Sequence, residues 1–235
     1  MDYEIYPLGD QSLIIQFGDG ISEETNALVH AAAEKIRQAS LPGLIEIVPA
    51  FHTLTVHYQP FIVGSTFPYR KILSELHTIL SNDGQTNRLK GRCIKIPVCY
   101  DEEFAPDLSF VAQLNNLRTE EVIQIHTSNS YHVYFLGFSP GFPFLGGMDN
   151  RIATPRRDTP REKIASGSIG IAGAQTGIYP IETPGGWRII GRTPLTLFNP
   201  KKTHPTLLKP GDTILFFPIT KDEFYSWEDR TWELQ

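Results

Sequence analysis

Four basic side chains fall within nine residues of this 235-residue chain, Pro155-Arg156-Arg157-Asp158-Thr159-Pro160-Arg161-Glu162-Lys163. Proline fixes φ at roughly −65°, so Pro155 and Pro160 hold the stretch extended. Arg156, Arg157 and Arg161 are then expected to project from a stiff loop. Guanidinium forks match phosphate and carboxylate oxygens in bidentate geometry. Arg188 and Arg192 follow in a glycine-rich segment and are placed to converge on the same face. The competing use of these arginines is structural, in pairs with Asp149, Asp158, Glu162 and Glu182 that tie loops down.

A second group is aromatic and rich in free backbone: Phe138, Pro140, Gly141, Phe142 and Phe144, then Tyr179, Gly185, Gly186 and Trp187. With Gln175, Thr176 and Thr193 as polar fittings, it has the make-up of a small-molecule pocket. It fits an aromatic-lined peptide groove equally, and a barrel core suits Phe144 and Leu145 better than either. Eleven of the 19 glycines lie between residues 137 and 191. A flexible linker of that glycine content would lack the aromatics, so this is shaped loop and strand.

Several chemistries are missing. No G-x-x-x-x-G-K-[ST] occurs, and no strand-G-x-G-x-x-G-helix unit for a dinucleotide. Neither Ser139 nor Ser168 is read as the serine of a nucleophile elbow. The seven histidines show neither i,i+4 pairing nor H-E-x-x-H, so no metal is expected. His57 and His132 read as half-buried strand residues. No residue is assigned as catalytic. Cys93 and Cys99 flank one apparent strand and would stand about 20 Å apart, too far for a disulfide; buried structural thiols in a reducing compartment are expected.

The elements that must carry these groups fall in two parts. Up to residue 80 the order is β-β-α-β-β-α. Ser22 is the expected cap of the first helix, which runs through Leu28, Ala31, Ala32, Ile36 and Ala39; Ile72, Leu73, Leu76, Ile79 and Leu80 form the stripe of the second. That order predicts a two-layer α+β domain over 1–85, ending in the polar run 82–87. From 86 to 235, Pro106-Asp107 and Thr119-Glu120-Glu121 open two short helices. Strands are expected at 131–138, 168–173, 178–182, 187–191, 195–198 and 213–217. Short strands at this spacing need their edges hidden, which points to a closed barrel. Hydrophobic residues at 40% and charged residues at 20% suit a globular protein. A net charge of −5 argues against nucleic acid or anionic lipid as partners. Met1-Asp2-Tyr3-Glu4 does not open a signal peptide, and no apolar run would span a membrane. A cytoplasmic protein is expected.

The runs Gly137–Gly147, Gly167–Pro180 and Thr183–Trp187, with Leu8-Gly9-Asp10 and Ile96-Pro97-Val98-Cys99-Tyr100, resemble one family over nearly the whole chain. It is the KipI / allophanate hydrolase subunit 1 family, whose bacterial members include the B component of the multi-subunit 5-oxoprolinase. The resemblance implies a cyclophilin-like β-barrel after residue 85. It implies two protein partners, the homologous C component (KipA-like) and the A component of that enzyme. With them the chain would open 5-oxoproline to L-glutamate at the expense of ATP, with magnesium, and would be inactive alone. Arginines beside a glycine-rich loop suit phosphoryl transfer, which is mostly positioning and charge stabilisation. Related proteins form half of the biotin-dependent carboxyltransferase of urea carboxylase, but this chain has no biotin-attachment segment. The family also implies an alternative of another class, an inhibitor that binds a sporulation sensor histidine kinase and blocks its autophosphorylation.

Overall fold

A computed structural model describes residues 2–81 and 91–228, which fall into two units, Met1–Leu89 and Lys90–Gln235. The polar run 82–87, read above as the domain boundary, lies outside the described residues.

The first unit runs β1 (Glu4–Pro7), β2 (Ser12–Gln16), α1 (Glu23–Gln38), β3 (Leu44–Pro49), β4 (Thr53–Tyr58), a single turn α2 (Pro60–Val63) and α3 (Pro68–Ser81). Its sheet is antiparallel throughout, in the order β1-β2-β4-β3. Alternation along β2 and β4 sends Leu13, Ile15, Leu54 and Val56 into one core with Ile36 of α1 and Leu76 of α3. This is the expected ββαββα layer, with α2 as an added turn. The Ser22 hydroxyl accepts the Thr25 N–H at 3.1 Å, capping α1 as expected. The buried stripe of α1 differs from the expected one: Leu28 is exposed and Ala39 lies past the helix end, while Asn26, Val29, His30 and Ala33 go inside. Asn26 explains the rotation, because its amide donates to the Ala50 and Phe51 carbonyls at 3.0 and 3.1 Å and so belongs under the helix.

The second unit comprises β5 (Cys93–Cys99), α4 (Leu108–Leu114), α5 (Thr119–Ser128), β6 (Ser130–Leu136), β7 (Pro143–Gly146), β8 (Arg161–Ile164), β9 (Ser168–Ala172), β10 (Gln175–Ile178), β11 (Thr183–Gly185), β12 (Arg188–Arg192), β13 (Thr213–Ile219) and α6 (Lys221–Ser226). Seven strands close into a barrel in the order β10-β7-β6-β13-β5-β12-β9, and β8 pairs with β11 as a separate antiparallel ribbon. Closure leaves no barrel edge unpaired, the outcome the edge argument requires. The barrel's first and last strands in sequence, β5 and β13, run parallel from Thr213↔Cys93 to Ile219↔Cys99.

Four expectations need correction here. The stretch 178–182 is not a strand: β10 ends at Ile178, just before Tyr179 and Pro180. The stretch 195–198 contributes only the isolated bridge Phe198↔Thr206. Residues 155–163 are not loop throughout, since Arg161 opens β8. Cys93 is exposed rather than buried. Cys99 is buried, which pushes its thiol pKa up.

In the buried core of the second unit a polar chain joins Tyr100, His126 and Thr176. The Thr176 hydroxyl donates to the Gly170 carbonyl at 3.0 Å, so its oxygen must accept from Nε2–H of His126 at 3.4 Å. His126 Nδ1 is then the acceptor for the Tyr100 hydroxyl at 2.7 Å. Burial keeps this imidazole neutral, its pKa pushed down to about 3.

Candidate functional site

Asp107 stands at the N-cap position of α4, yet its carboxylate caps nothing. It is turned instead to β8 and β12. Arg161 meets it with a fork, Nη1 to Oδ2 at 2.7 Å and Nη2 to Oδ1 at 3.0 Å. Arg157 reaches Oδ1 at 3.3 Å and Arg188 at 4.0 Å. The Ile189 N–H donates to Oδ2 at 2.7 Å, while the Asp107 N–H donates back to the Ile189 carbonyl at 2.9 Å. Burial alone would raise the Asp107 pKa; the Arg161 and Ile189 hydrogen bonds and the Arg161 and Arg157 charges outweigh it and hold the carboxyl below its usual range. Above this pair, the Arg188 guanidinium lies 3.8 Å from the Phe110 ring centroid, in cation–π contact.

The expected arginine set is thus split. Arg157, Arg161 and Arg188 converge on one point, and their partner is Asp107, none of the four acids considered from sequence. Arg156 is exposed, close enough to Tyr179 for its charge to act on that hydroxyl. Arg192 does not join: it sits at the other end of β12, about 13 Å along the strand from Arg188. Its Nε donates to the Ser166 carbonyl at 2.8 Å and its guanidinium faces Phe224. Thr193 is buried and serves the turn, its hydroxyl accepting the Leu195 N–H. Gln175 is half-buried at the start of β10. Asp107 and Phe110 escape sequence reading, because Pro106-Asp107 looks like any helix start and the contacts are made across 50 residues and more.

The aromatic group is mostly core. Phe142, Tyr179 and Trp187 pack with Ile164 and Ile189 in a small cluster of their own. Phe142 makes edge-on contacts with Tyr179 and Trp187, both at 5.4 Å between centroids. Gly185 lets the β8–β11 ribbon close over it, since a Cβ there would stand 2.5 Å from the Tyr179 hydroxyl. Burial pushes that hydroxyl up to about 12, against the Trp187 N–H and the Arg156 and Arg161 charges. The cationic group therefore borders the aromatic one. Gly186 accepts the Arg157 N–H at 2.8 Å through its carbonyl, tying the arginine loop to the ribbon.

Phe138 and Pro140 go the other way and are exposed. With Leu136, Ser139, Gly141 and Thr206 they line a shallow open depression of about 350 Å³. Phe138 holds a left-handed φ of 66°, uncommon for a bulky residue. By residue type Gly137-Phe138-Ser139-Pro140-Gly141 spells G-x-S-x-G, but it joins two antiparallel strands, β6 and β7. Ser139 Oγ is buried with no hydrogen-bond partner among the described residues, so none of them is placed to activate it as a base. Among the described residues no three His, Cys, Asp or Glu side chains gather round a point an ion could occupy, and no helix is long and apolar enough to cross a membrane.

Residues 3–208 match the family model of the carboxyltransferase domain, subdomain C and D. The chain is 47% identical to the 5-oxoprolinase B component of Bacillus subtilis (strain 168), over 97% of its own length and 98% of that protein's. It is 34% identical to the 5-oxoprolinase B component of Escherichia coli O157:H7, over 91% of this chain and 94% of that one. A conserved uncharacterized protein from Pyrococcus horikoshii, of known crystal structure, is 51% identical; the match covers 94% of this chain and all of that one, with a TM-score of 0.56.

Proposed function

Because this chain belongs to the carboxyltransferase-domain family of subdomains C and D, we propose that it is the B component of a multi-subunit, ATP-dependent 5-oxoprolinase. The carrying observation is the 47% identity to such a component, which extends over nearly the full length of both chains. In the proposed reaction a lactam, a poor electrophile, is activated by phosphorylation of its carbonyl oxygen, which turns that oxygen into a leaving group. ATP is the co-substrate. Magnesium arrives with its phosphates, as it does where one or two carboxylates and a phosphate chain share it. The chain's own contribution is charge, from Arg157, Arg161 and Arg188 with Arg156 at the rim. Phe142, Tyr179, Trp187 and the glycines at 185 and 186 shape the ground beneath. The A and C components complete the site, and the chain alone is inactive.

Mixing the chain with its A and C partners and following 5-oxoproline-dependent ATP hydrolysis tests this. Turnover is expected in the full mixture and in no mixture lacking this chain; silence of the full mixture would sink the proposal. In the active mixture Arg157→Ala is expected to lower turnover on the order of 10²-fold with co-purification of the C component unchanged. Arg192→Ala, which removes the Ser166 hydrogen bond and the Phe224 contact away from the Asp107 cluster, should retain turnover below its melting temperature. Equal loss in both variants would extend the phosphate-handling groups to the Arg192 end of β12. The kinase-inhibitor alternative is supported by family resemblance alone, and no feature of the fold favours it.

A further inference from the structure

Three guanidinium groups share one carboxylate at Asp107, and among the described residues no other carboxylate comes within ion-pair distance of them. Two positive charges are therefore uncompensated. Nor are these charges free in solvent: the side chains of Arg157, Arg161 and Arg188 are 32%, 24% and 14% exposed. Desolvating an unpaired charge costs free energy unless something supplies the opposite sign.

The donors divide unevenly. Arg161 uses its whole fork on Asp107. Arg157 gives Nε to the Thr159 carbonyl at 3.3 Å and Nη1 to Asp107; Arg188 gives Nε to the Pro155 carbonyl at 3.4 Å. The Nη2 groups of Arg157 and Arg188 make no hydrogen bond to the described residues. Both guanidiniums are nevertheless held in place, that of Arg157 by the Thr159 carbonyl and Asp107, that of Arg188 by the Pro155 carbonyl and the Phe110 ring. Preplaced donors lose little entropy on binding.

From this geometry we infer that Arg157 and Arg188, set by Asp107 and Phe110, form a site for one small oxyanion, a phosphate or a carboxylate. Asp107 is the positioning residue and Arg161 its clamp. The inference rests on the 5-oxoprolinase reading only for which oxyanion is the natural one. Calorimetric titration of the full chain with inorganic phosphate, ATP, 5-oxoproline and 2-pyrrolidone, the lactam without its carboxylate, tests it. Saturable binding of at least one anion is expected, weakened by salt, with none for 2-pyrrolidone. Arg188→Gln and Arg157→Gln should each weaken it roughly tenfold or more, the loss of one charge-assisted contact, with melting temperature near that of wild type. Binding of 5-oxoproline but not phosphate assigns a substrate carboxylate; binding of phosphate or ATP assigns the phosphoryl group. No saturable binding of any anion by the wild type, or unchanged affinity in both variants, overturns the site. An active reconstituted complex would then leave the 5-oxoprolinase reading standing, whereas anion binding with an inactive complex would do the reverse.

Discussion

Asp107→Ala should destabilise the barrel unit by about 3–5 kcal/mol, because it strands three partly buried guanidiniums and the buried Ile189 N–H at once. Removing one partner of a buried ion pair costs far more than the pair's net worth. Arg157→Ala, at the most exposed end of the same cluster, should cost under about 1 kcal/mol. Denaturant unfolding followed by tryptophan fluorescence reads the difference cleanly, since all three tryptophans lie beyond residue 186 and none in the first unit. A loss below about 1 kcal/mol for Asp107→Ala would mean that the arginines relax into water and that the carboxylate organises nothing. The pH dependence carries a sign as well. The folded Asp107 pKa is depressed, so its contribution is present above the ordinary carboxylate pKa and is lost as pH falls through the lower folded value. Asp107→Asn should remove that acid-side loss.

Phe142→Ala should cost about 3–5 kcal/mol, the usual range for deleting a fully buried aromatic side chain, and Phe142→Leu clearly less. Phe142 is 1% exposed, packed edge-on between Tyr179 and Trp187. Its ring is also why residue 177 is glycine: a Cβ there would lie 2.8 Å from the Phe142 ring tip. In a reconstituted 5-oxoprolinase the KM for 5-oxoproline should be unchanged by Phe142→Leu at temperatures where the variant is folded. Wild-type stability combined with a raised KM would return Phe142 to the binding surface, where its sequence context had placed it.

That reversal shows how legible the chain was. The ββαββα order and the α3 stripe follow from periodicity, which is local: Ile72, Leu76 and Leu80 share a face because of helix geometry alone. Barrel closure was reachable through the edge argument without knowing which strands pair. The short strands β7, β8 and β11 were not, because three or four residues hold two periods at most, and Pro143 and Pro184 read as loop. The α1 stripe slipped because Asn26 looks like a surface residue until the Ala50 and Phe51 carbonyls are seen beneath it.

For function, composition and spacing alone were enough to bring Arg156, Arg157, Arg161 and the aromatic glycine-rich runs forward, since charge density and residue type survive without coordinates. Which of these groups would be buried was decided only on folding. Between strands no periodicity dictates direction, and burial put Phe142, Tyr179 and Trp187 inside while leaving Phe138 and Pro140 out. The point on which the arginines converge was likewise a tertiary outcome. Asp107 meets Arg161 and Arg188 across more than fifty positions of chain, and a carboxylate that far away leaves no local mark on the residues it will hold.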